Sequence, residues 1–157
     1  MTAARLRVVL VAATMTWAGL LVVTPLLASR PHASPIASAL ILAVYGIGSL
    51  ICHQLPERSY HIWTAQMPVC ARCAGIYFGA VAGAIAGLAR TGAVGARART
   101  PGPRTILALA MTPTLVTLVY EWTTGDMPAH AIRAAAGAPI GCAVAWLVVA
   151  AAENQVN

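Results

Sequence analysis

The sequence predicts an all-α bundle of about five membrane-spanning helices, and three observations predict it. Hydrophobic residues make up 59% of the 157 and charged residues 9%, with a mean hydropathy of +0.76. A soluble domain carries about 25% charged residues, so this chain lacks the polar surface to cover itself in water. Its apolar residues gather into five long runs almost free of charge, and two of these runs carry glycine at every fourth position. Small residues at that spacing let helices approach closely in a bilayer.

The first run, Val8 to Ser29, has 22 residues without a charge, enough to cross a hydrocarbon core that needs about 20. Arg5 and Arg7 precede it, as in a signal peptide. Its apolar part exceeds the roughly 7–15 residues of a signal's apolar region, and Leu27-Ala28-Ser29-Arg30-Pro31 is a poor cleavage site. It is therefore expected to be an uncleaved first span. The second, Ile36 to Ile51, follows the breaker-rich segment Arg30 to Pro35, and Cys73 to Ala89, Thr105 to Trp122 and Ala134 to Ala152 complete the set. Spans two to four are short for a full crossing, so their ends extend into polar flanks or the bilayer thins around them. The whole of 1–157 is expected to form one integral membrane domain, with a motif loop over 52–72.

Gly75, Gly79, Gly83 and Gly87 share one face of the third span, and Gly137 and Gly141 repeat the device in the fifth. Two uses are open: packing within one subunit, or a homo-oligomer formed through the glycine face. The chain has no lysine, and its ten arginines stand against four carboxylates for a net charge of +6. They are scattered between apolar runs rather than gathered on one face, which excludes nucleic acid as a partner and fits flanking charge on spans in a lipid bilayer. With five crossings the arginines divide five against five between the two faces. Discounting Arg58 and Arg72, which sit in the motif segment, favours Arg90 to Arg104 as cytoplasmic and the cysteine segment as outward, although the basic N-terminus argues the other way.

Chemistry concentrates where the second span ends and the third begins. Cys52 and His53 leave one; Cys70 and Cys73, in C-x-x-C spacing, enter the other. Together they supply four ligands, the number that a tetrahedral zinc site needs. Adjacent helical residues point about 100° apart, so Cys52 and His53 can share one ion only if the helix ends there, as Pro56 suggests. If it runs on, His61 or Glu57 takes the place of His53. Other uses are a thiol–disulfide pair at Cys70 and Cys73, with Arg72 between them, an active metal site, or unrelated buried cysteines. Cys142, Trp17 and Trp146 read as packing residues, His32 as a loop residue, and Tyr120 and Trp122 as interfacial anchors.

A second polar cluster closes the fourth span and opens the fifth: Glu121, Asp126, His130 and Arg133. An ionisable group at membrane depth must be compensated, and Arg133 or Arg72 is the natural partner of Glu121. If this end of the bundle folds onto the cysteine mouth, Glu121, His130 and Arg133 join Arg58 and Arg72 around one site. Those arginines could hold a small anion or an anionic lipid headgroup.

The double motif Cys52-His53-Gln54-x-Pro56-x-Arg58-Ser59 and Pro68-Val69-Cys70-Ala71-Arg72-Cys73-x-Gly75-Ile76-Tyr77-x-Gly79 resembles a family of small, uncharacterised prokaryotic membrane proteins grouped as a domain of unknown function. The likeness runs from about Leu50 to Ala143. It implies an acidic residue ending the next helix and an arginine shortly before a Gly-x-x-x-Gly helix, matched here by Glu121, Arg133, Gly137 and Gly141. Two positions depart from the pattern: Trp122 stands where glycine follows the acid, and His130 where the family has an asparagine-type residue. The resemblance implies a membrane protein with a Cys/His motif and supplies no activity. The expected function is thus a membrane protein with a zinc-type site of Cys52, His53, Cys70 and Cys73. A membrane thiol oxidoreductase, a small transporter and a partner-assembled subunit stand as alternatives.

Overall fold

A computed structural model of the chain describes residues 2–89 and 101–154. Five helices form: α1 (Ala3–Ala28), α2 (Pro35–Ile51), α3 (Ala71–Ala89), α4 (Pro103–Thr124) and α5 (His130–Asn154). Between α2 and α3, a single turn at Pro56–Arg58 leads into an antiparallel hairpin of β1 (Ser59–Ile62) and β2 (Ala65–Cys70). The sequence predicts only a loop there. Local chemistry sets the helix ends. The Ser34 hydroxyl accepts the Ala37 N–H at 3.2 Å, with Pro35 in the first turn of α2. Gly125, at φ 75°, closes α4 in the left-handed conformation that glycine adopts freely. The helices run past the apolar stretches into their polar flanks, and α1, α3, α4 and α5 are each long and apolar enough to cross a membrane.

α1 and α3 pack antiparallel. Arg7 donates to the Gly87 carbonyl at 3.5 Å, Val11 shares a cluster with Ala84, and Trp17 meets Tyr77 edge-on at 5.9 Å. Leu21 and Ala74 lie in a second buried cluster. The start of α3 is therefore level with the last turns of α1. The second run, expected above as a crossing, forms α2, a helix shorter than the four candidate spans. Six residues separate α1 from α2, and α2 ends at Ile51, its capping residue Cys52 lying beside the start of α3. Both its ends serve one face of the bundle, and its 17 residues connect rather than cross. Val44 of α2 joins Leu21, Met67 and Val69 in the second cluster, so α2 rests on α1 and the hairpin. Among the described residues, four of the five helices, α1, α3, α4 and α5, have the length and apolar character of membrane spans.

The tightest contact joins α3 to α5, which run parallel. A Cβ added at Gly75, Gly79 or Gly83 would strike the backbone of Ala134, Ala138 or Cys142 in turn. Reciprocally, Gly137 and Gly141 lie against the backbone of Arg72 and Ile76, and Gly87 faces the Val149 side chain. The two glycine rows fill each other within one chain. A homo-oligomer formed through that face finds no free glycine surface, because α5 already occupies it. α4 packs antiparallel along α5, its Thr114 hydroxyl donating to the Ala136 carbonyl at 2.7 Å. The arginine-bearing segment from Arg90 to Arg99, used above for orientation, lies outside the described residues.

Replacing Gly79 by leucine is expected to cost about 3 kcal/mol or more, the upper end for overpacked cores, because backbone cannot yield to a side chain. Gly19→Leu, with open space around it, is expected to be neutral. Thermal unfolding of both variants in detergent checks the pair.

Candidate metal centre

The end of α2 sets the site. Cys52 donates its N–H to the Gly48 carbonyl at 2.9 Å, then turns extended, at φ −146° and ψ 138°. Successive side chains of extended backbone point to opposite sides, so Cys52 is buried and His53 exposed. Gln54, at φ 49°, turns the chain back. Its side-chain amide donates to the Tyr45 and Pro68 carbonyls at 2.9 and 2.6 Å. The Gln66 amide returns a bond to the Gln54 carbonyl at 2.5 Å, and the Tyr45 hydroxyl donates to the Gln66 carbonyl. This latch ties α2 to β2. The hairpin reverses at Trp63 and Thr64, with φ of 54° and 83°, the positive pair that a two-residue hairpin turn needs. β2 then delivers Cys70 immediately before the first residue of α3, with Cys73 in the first turn.

The sulfurs of Cys52, Cys70 and Cys73 consequently lie within 4.8 Å of one another. The Cys70 N–H points at the Cys52 sulfur at 3.2 Å. The Cys73 thiol, bonding to the Cys70 sulfur, holds the Cys70 thiol down at about 5. Burial opposes this, while the Cys73 and Arg72 N–H groups and the Cys52 thiol assist. Those N–H groups are the free donors at the start of α3, where a helix favours a thiolate. His53 is not in this three-sulfur group. Of the expected four ligands, the three cysteines come together, while His53 lines a cavity beside them without joining the sulfur group.

The second polar cluster folds against the first. Arg72 Nη2 lies 2.8 Å from Glu121 Oε1, and Arg133 Nε lies 3.2 Å from the same oxygen. Arg72 also donates to the Thr117 hydroxyl at 3.2 Å, and Arg133 Nη1 sits 3.4 Å from the Met127 sulfur. All three charged groups are withdrawn from solvent; the Arg133 side chain is 2% exposed. His130 donates to the Glu57 carbonyl at 3.1 Å and lies against the Tyr60 ring, so it braces the hairpin from α5 and does not reach the sulfurs. A cavity of about 210 Å³ separates the sulfurs from the arginines, lined by Cys52, Cys70, Cys73, Arg58, Arg72 and Arg133, with His53 at its edge. Asp126 is exposed in the α4–α5 turn, and Tyr120 and Trp122 present their rings outward. Sequence reasoning missed Tyr45, Gln66 and Thr117, as well as the work of Gln54. Only Gln54 had a signal, its place inside the Cys52-His53-Gln54 motif.

The fold and site define a multi-pass membrane protein with a cluster of three cysteines where α2 and β2 meet the start of α3. The chain belongs to the family described as "Predicted membrane protein (DUF2085)", whose match covers residues 52–147 and so contains both motifs and both polar clusters. The resemblance to an uncharacterised family of membrane proteins holds. Over 44 residues the chain is 52% identical to an uncharacterized protein of Methanocaldococcus jannaschii. That match covers 28% of each chain, under a third of the relative's length. No solved structure matches.

Glu121→Gln is expected to destabilise the protein by about 3–5 kcal/mol, the cost of stripping the partner from a buried ion pair, because Arg72 and Arg133 both lose their counter-charge. Asp126→Asn, in the exposed turn, is expected to change stability by less than about 0.5 kcal/mol. Thermal unfolding of the two variants side by side decides it.

Proposed function

We propose that Cys52, Cys70 and Cys73 hold one transition-metal ion, zinc by donor chemistry, at the membrane face. The observation that carries this reading is the convergence of three sulfurs from two separate segments within 4.8 Å. Tetrahedral zinc with bonds of about 2.3 Å spaces its sulfurs about 3.8 Å apart, so modest side-chain closure suffices. Thiolate ligands match zinc's borderline-soft character, and the Cys70 N–H bond to the Cys52 sulfur is the kind of outer contact that steadies a ligating thiolate. The fourth position opens on the arginine-lined cavity, with His53 at its edge as the nearest protein donor. Bound metal would fix the α2–α3 connection and keep the arginines over that cavity. A second reading rests on the Cys70–Cys73 contact: the pair works as a thiol–disulfide couple, and Cys52 only shapes its surroundings.

The four-crossing path also supports an orientation. It brings Arg5 and Arg7 to the same face as the end of α3 and the start of α4, where Arg104 lies. Of the described arginines, Arg5, Arg7 and Arg104 then flank the spans on that side, opposite Arg30, Arg58, Arg72 and Arg133, and the positive-inside rule assigns that side to the cytoplasm. Three of the other four, Arg58, Arg72 and Arg133, line the cavity, so the cysteine site faces outward.

Protein purified anaerobically in mild detergent is expected to contain about one equivalent of zinc, lost in the Cys70→Ser/Cys73→Ser variant. Absence of metal, with two thiols appearing only after reduction, sinks the metal reading in favour of the dithiol. For orientation, a His32→Cys variant in intact cells is expected to react with a membrane-impermeant maleimide above the level of the parent protein. Labelling only after lysis reverses the assignment.

A further inference from the structure

The cavity beside the sulfurs has more positive charge than its own residues neutralise. Arg58, Arg72 and Arg133 line it, and Glu121 is the one carboxylate bonded to any of them among the described residues. Nε of both Arg58 and Arg72 is buried with no hydrogen-bond partner. A buried N–H without an acceptor costs about 1–3 kcal/mol, more on a charged group, and three guanidiniums facing one carboxylate call for a further anion. This holds with a metal in place as well, since three thiolates on a divalent ion add only one negative charge.

A second cavity shows where that anion comes from. About 450 Å³ of space runs between α1, α3 and α5, and its lining is largely apolar: of the residues there with polar groups, Thr14 spends its hydroxyl on the Val11 carbonyl, and Trp17 and Tyr77 bond to each other. Ile76 lines both cavities. From Ile76 to Ala84 the groove follows α3 for two turns, about 12 Å down the bundle, between Trp17 and Val149. A charged chamber at the membrane face thus meets an apolar channel inside the membrane at one residue. That is the shape of an amphiphile.

We infer that this protein binds a membrane lipid with an anionic phosphate headgroup, the phosphate on Arg58 and Arg72 beside the cysteine cluster and the chain in the α1–α3–α5 groove. Guanidinium suits phosphate because its planar fork donates two parallel bonds. Arg58 is the adjustable member, since Arg72 and Arg133 are already committed to Glu121. The inference goes beyond the metal reading and does not require it.

Native mass spectrometry of the detergent-purified protein tests it, with phosphatidic acid and phosphatidylcholine of identical chains and with inorganic phosphate as competitor. Phosphatidic acid is expected to be retained over phosphatidylcholine by about tenfold or more, the worth of one charge-assisted hydrogen bond. Arg58→Gln is expected to abolish that preference and Arg58→Lys to restore part of it. Ala13→Phe, on the exposed side of α1 where it lines the groove, fills the channel without entering the core, and is expected to weaken lipid retention several-fold. Equal retention of the two lipids, or a preference untouched by Arg58→Gln, overturns the site. Displacement by inorganic phosphate at concentrations equal to those of the lipid overturns the lipid source in favour of a free anion. Zinc content measured on the same samples keeps the two claims apart: metal-free protein that still selects phosphatidic acid upholds this inference while sinking the metal.

Discussion

The backbone contact between α3 and α5 is the constraint on which the rest depends. Helices in a membrane gain little from burying apolar surface against each other, because lipid is equally apolar. What holds a pair is close packing, and the glycines let these two backbones touch over several turns. The parallel register places the first turn of α3 beside the first turn of α5, which fixes Arg72 next to Arg133. Two guanidiniums withdrawn from water at that spot repel each other unless a carboxylate intervenes. Glu121 supplies it from the last turns of α4, so the third element of the bundle is positioned by charge where the first two are positioned by shape.

The cysteines depend on the same frame from the other side. α3 carries Cys73 directly and receives Cys70 from β2, while Cys52 arrives from α2 only because the glutamine latch ties that helix end to the hairpin. No single element forms the sulfur group. Arg72, between Cys70 and Cys73 in the chain, joins the sulfur group and the Arg72–Glu121–Arg133 cluster around one cavity.

Much of this was legible in the sequence for identifiable reasons. Runs of apolar residues and the fourfold glycine spacing depend only on composition and helical period, so the five helices and their packing faces could be read directly. Glu121 and its two arginines were legible because a charge near membrane depth demands a partner. The path of α2 was not. Its length and hydropathy resemble a short span, and only the α1–α3 alignment, a tertiary fact, shows that it begins and ends at one face. The hairpin was hidden for a related reason: its turn uses Trp63 and Thr64 at positive φ, residues that carry no turn signal, in place of Asn-Gly. His53 was read as a fourth ligand from spacing alone, and the fold puts it on the wall of the sulfur cavity but outside the three-sulfur group.

The central claim is that three cysteine sulfurs share one metal ion. X-ray absorption at the zinc edge of the purified protein tests it most directly. The account predicts three sulfur neighbours at about 2.3 Å and one lighter atom at about 2.0–2.2 Å. A zinc shell made only of nitrogen and oxygen, or protein without zinc in which Cys70 and Cys73 are disulfide-bonded, would contradict it.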